Sequence, residues 1–81
     1  MSQLKAQTTN DLLNLLEITC KEIARLTNTK APLHIDRTSQ GPIVSKLVAD
    51  HYDVLYLDHA GLVGLVAKYH GHLFNLITKA N

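Results

Sequence analysis

Pro42-Ile43-Val44-Ser45-Lys46-Leu47-Val48-Ala49-Asp50-His51, followed by Tyr52-Asp53-Val54-Leu55-Tyr56-Leu57-Asp58, is the stretch on which the fold turns. In its first part Ile43, Val44, Leu47 and Val48 recur at helical spacing, with Ser45, Lys46 and Asp50 on the other side. Pro42 suits a first helical position, where its missing N–H would be unbonded in any case. The spacing predicts a short helix over 42–51. In the second part, Val and Tyr favour extended structure, and four apolar residues bounded by Asp53 and Asp58 fit a buried strand over 53–58. The same residues also suit the first turns of a following helix.

Upstream, Leu33-His34-Ile35-Asp36 alternates apolar and polar, which predicts a short strand at 33–37 with one wet face. Thr38-Ser39-Gln40-Gly41 is turn chemistry. Strands on either side of a 42–51 helix would make a minimal right-handed crossover, and a two-stranded sheet of that kind would call for a partner chain.

Further out lie two stronger patterns. Thr8-Thr9-Asn10-Asp11 supplies short side chains able to cap a helix. Asn14, Glu17, Lys21, Arg25 and Asn28 then mark one polar face, opposite Leu12, Leu13, Leu16, Ile23 and Leu26. This predicts a helix at 9–29. At the other end Asp58 is a plausible N-cap, and Gly61, Gly64, Lys68, Gly71, Asn75 and Lys79 trace a narrow polar stripe on a helix at 59–80. The expected class is therefore mainly α: three helices at about 9–29, 42–51 and 59–80, with one or two short strands at 33–37 and 53–58. A small α+β domain is the alternative.

The 81 residues suffice for a single domain, 1–81, and at 46% hydrophobic and 19% charged they describe a packed globule. A net charge of +1 removes the electrostatic footprint of a phosphate-gripping protein. The eight basic residues are scattered, and the 59–80 helix carries only Lys68 and Lys79, so nucleic acid is not an expected partner. The charged and His residues on that helix also argue against a membrane span. One cysteine forms no internal disulfide, and Met1-Ser2-Gln3-Leu4-Lys5 has no apolar run behind it; the expected location is cytoplasmic.

Few residues invite chemistry. Cys20 falls near the apolar face of the first helix and reads as a small buried hydrophobe. Ser39 and Ser45 have no elbow motif around them. No catalytic residue is assigned, no cofactor is implied, and the balance is against an enzyme. His51, Asp53, Asp58 and His59 would form a metal- or ligand-binding cluster if a chain reversal gathered them. His70 and His72 sit about 200° apart on a helix and cannot share an ion. Arg37, Thr38 and Ser39 offer a weak anion site ahead of the expected second helix.

The strongest pattern is Ala60, Gly64, Ala67 and Gly71, spaced four, three and four apart along one side of the last helix. Small residues at that spacing let two helices approach closely. Leu62, Val66, Tyr69 and Leu73 belong to the core or the same interface. The expected function is a small protein-interaction module, homodimeric through 59–80, that binds a protein partner and acts as a regulatory or inhibitory protein without catalysis. The alternatives are the His/Asp ligand site and a small DNA-binding regulator.

Overall fold

A computed structural model describes residues 8–80. In chain order the elements are α1 (Thr9–Thr27), β1 (Leu33–Thr38), β2 (Gly41–Val48), β3 (His51–Leu55) and α2 (His59–Ala80). The strands form one antiparallel sheet in the order β1-β2-β3. The class is α+β, with two helices and three strands among the described residues, and this overturns the expectation of a mainly α chain with three helices.

The correction lies in residues 42–51, which form no helix. Ile43, Val44, Leu47 and Val48 fit a period of two as well as a helical one: Val44 and Val48 point to one face, Ile43 and Leu47 to the other. β2 is the central strand, so apolar residues are useful on both faces, and three of the four are β-branched. Pro42 is tolerated because β3 pairs with β2 only from Val44 onward. The strand expected at 53–58 is shifted to His51–Leu55. No parallel crossover forms, since two-residue loops fold the three strands into a meander.

Those loops are Ser39-Gln40, between the paired Thr38 and Gly41, and Ala49-Asp50, between the paired Val48 and His51. Gly41 takes φ +119°, which side-chain-bearing residues rarely adopt, and Thr38 Oγ1 both donates to the Gly41 carbonyl and accepts from the Gln40 amide. Ala49 is left-handed at φ 57° without being glycine.

Both helices carry N-caps. Thr8 Oγ1 accepts from the Asp11 amide at 3.1 Å, and Asp58 Oδ1 accepts from the Gly61 amide at 2.8 Å. Asn28, left-handed at φ 56°, closes α1 with its amide on the Ala24 carbonyl.

The core joins Leu12, Leu13, Leu16, Cys20 and Ile23 of α1 to Leu62, Val66 and Tyr69 of α2, with Leu33 and Val44 entering from the sheet. α1 thus packs against α2 and against the sheet. Only one face of the sheet takes part: Leu33, Ile35, Val44 and Leu55 share it by register. Arg37, on that same face, reaches α1 and donates to Glu17 Oε1 at 2.9 Å and Asn14 Oδ1 at 2.7 Å.

Candidate interaction surfaces

Cα atoms span 39 × 35 × 16 Å, a slab that leaves much apolar surface without a covering element. Apart from Leu15, Ile18 and Leu26 along α1, this surface lies in two places.

One is the outward side of α2. The eight residues expected at an interface divide between two faces of that helix. Leu62, Val66 and Tyr69 are buried against α1, with Leu73 half-buried beside them. Ala60, Gly64, Ala67 and Gly71 point the other way and are exposed. A Cβ added at Gly64 or Gly71 would meet no atom within 4 Å, so the small residues are not there to admit α1. At 100° per residue, Phe74 and Thr78 continue the same arc, which carries no charged residue between Lys68 on one flank and His70 on the other. Phe74 is 64% exposed. A surface helix ordinarily turns charge toward water on this side.

The other is the outer face of the sheet, where Ile43, Leu47, Tyr52 and Val54 stand on the side away from α1. Tyr52 reaches back across the central strand, donates its hydroxyl to the Ala31 carbonyl at 2.9 Å, and sets its ring 5.8 Å from that of His34. Past the end of β3, Tyr56 is 94% exposed. The alternation of Tyr52, Val54 and Tyr56 is the sequence signal for this face, and helical spacing in 42–51 obscures it.

An open cavity of about 360 Å³ lies where the N-terminal ends of the helices meet the sheet. Its wall is mainly apolar, including Leu13, Val44, Leu55 and Leu62, and His59 Nδ1 lies 3.4 Å from Thr9 Oγ1 at the polar end.

The His/Asp set is divided. His51 and Asp53 lie at the start of β3, whereas Asp58 and His59 open α2 beyond its far end. His51 meets Asp50 at Nδ1 (3.6 Å) and Asp53 at Nε2 (3.3 Å), so its two carboxylate neighbours occupy opposite ring nitrogens and do not converge on one point. Among the described residues no three His, Cys, Asp or Glu side chains are grouped to hold a metal ion. The Arg37-Thr38-Ser39 stretch leads into a hairpin and not into a helix, and its arginine is bound to α1. Cys20 is buried, and that burial pushes its thiol up to about 11, with the Leu33 amide partly opposing.

Comparison with protein-family models, curated proteins and solved structures finds no match. Among the described residues, no helix is long and apolar enough to cross a membrane.

Proposed function

We propose that this chain is a non-catalytic interaction module that self-associates through the outward side of α2, two copies meeting about a two-fold axis, and acts by occupying a partner protein's surface. The observation that carries the reading is the exposed, uncharged arc of Ala60, Gly64, Ala67 and Gly71, ending in Phe74. Small side chains let two helix axes come close enough for backbone and Cβ contacts to add up, and an apolar ring at the end extends the area removed from water. A two-fold arrangement sets like against like, so an uncharged arc meets its own copy without repulsion. An 81-residue chain has a thin stability margin, and association adds to it by mass action.

The test is Gly64→Leu beside Ala67→Glu. Leucine at 64 fits the isolated chain, because nothing lies near its Cβ, and it improves helix propensity by somewhat less than the roughly 0.8–1 kcal/mol that separates glycine from alanine. The expected result is a lower solution mass for both variants, with the fold retained by circular dichroism. Unchanged mass in both variants would refute the α2 interface.

A further inference from the structure

The cavity of about 360 Å³ opens where Pro42 ends a ladder. The Leu47 amide donates to the Pro32 carbonyl at 2.9 Å, on the β1 side of the central strand. Alternation along β2 then turns the backbone groups of Val44, Lys46 and Val48 toward β3, and those of Pro42 with them. Pro42 has no N–H to give. Pairing stops at Val44 and Leu55, and residues 56–58 part from β2 on their way to α2. The cavity lies in that gap, with Pro42 on one side and Leu57 on the other. Its floor is the core itself: Leu13, Val44 and Leu62 are buried and Leu55 is half-buried.

The polar groups around this floor are mainly acceptors. No described residue donates a hydrogen bond to the Pro42 carbonyl, although it faces β3. Asp58 uses one carboxylate oxygen to cap α2. His59 Nδ1 and Thr9 Oγ1 make only a long contact at 3.4 Å, which leaves both open to a stronger partner. Among the described residues the wall holds one carboxylate, Asp58, and no lysine or arginine. An anion placed here would lose water and meet a like charge with no cation to offset it.

We infer that this cavity binds an uncharged, mainly apolar small molecule that carries one hydroxyl or N–H donor. Ligand sites commonly enclose about 300–1,000 Å³, with apolar walls and a few polar groups that fix orientation. An apolar cavity of about 150 Å³ already takes benzene. This one accommodates a fused two-ring molecule, its rings against Leu13, Leu55 and Leu62 and its donor toward the acceptors at the rim. The site lies on the core side of α2, away from Gly64 and Ala67, so occupancy is read independently of self-association.

Titration of the wild-type chain with 2-naphthol and, separately, with 2-naphthoate tests it, followed by amide chemical shifts in NMR. The expected result is saturable shifts at Thr9, Leu13, Leu55 and Leu62, with a Kd of about 1 mM or tighter for 2-naphthol. The carboxylate probe should bind about tenfold more weakly or worse. Thr9→Trp fills the cavity from an exposed position and should weaken 2-naphthol about tenfold; should that variant not fold, the two probes on the wild type decide alone. Shifts that never saturate, or that spread equally over the outer face of the sheet and the outward side of α2, overturn the site. So does 2-naphthol affinity unchanged in folded Thr9→Trp. Equal or tighter binding of 2-naphthoate overturns the ligand class.

Discussion

Ala49 and Cys20 show what single residues contribute. Ala49 holds φ 57° at the first position of a two-residue hairpin, a conformation that costs an L-residue about 1–2 kcal/mol and that glycine adopts freely. Part of the relief is offset by the larger entropy of a glycine-containing unfolded chain. Ala49→Gly is therefore expected to stabilise by about 0.5–1 kcal/mol in chemical denaturation, and a destabilised variant would show that the turn is not strained. Cys20 has a thiol raised to about 11 by burial, so the folded chain holds that proton more tightly than the unfolded chain does. Its contribution to stability is complete below about pH 9 and is lost as pH rises through 9 toward 11. Tyr69, also raised chiefly by burial, adds to the same alkaline loss. Denaturation midpoints at several values from pH 7 to 11 should fall over that interval, and Cys20→Ala should flatten the fall. A thiol reagent should leave Cys20 unmodified until the chain unfolds.

At the scale of the element, the helices were legible because their signals agree. Thr8 and Asp58 cap where hydroxyl and carboxylate caps are expected, and the 3.6-residue pattern persists for five turns or more. Asp58→Ala should cost about 1 kcal/mol, with Asp58→Asn close to wild type in the same denaturation measurement. β2 was not legible. Ile43, Val44, Leu47 and Val48 satisfy both periods, and only the strands on either side decide between them, a tertiary effect that local spacing cannot carry. The same double fit hides the sheet's outer face, since Tyr52 reveals its reach to Ala31 only once β2 lies between it and β1. The small-residue stripe of α2 was legible as a stripe. Its direction was only faintly marked, because residues 59–80 are apolar around most of the helix and the polar stripe that shares Gly64 and Gly71 with it is narrow.

For the whole molecule, the slab of 39 × 35 × 16 Å gives each chain a thin core and wide apolar sides. α1 is the element with partners on both flanks; α2 and the sheet each keep one face uncovered by any described residue. Exposed Phe74 stands on the first of those faces, and exposed Tyr56 follows the second. Light scattering across a hundredfold dilution, with wild type and Ala67→Glu side by side, tests the central claim most directly. The α2 interface predicts a wild-type mass of at least twice the 9.0 kDa of one chain, and a mass reduced by half or more in Ala67→Glu. A wild type that remains at the mass of one chain at every concentration would contradict it.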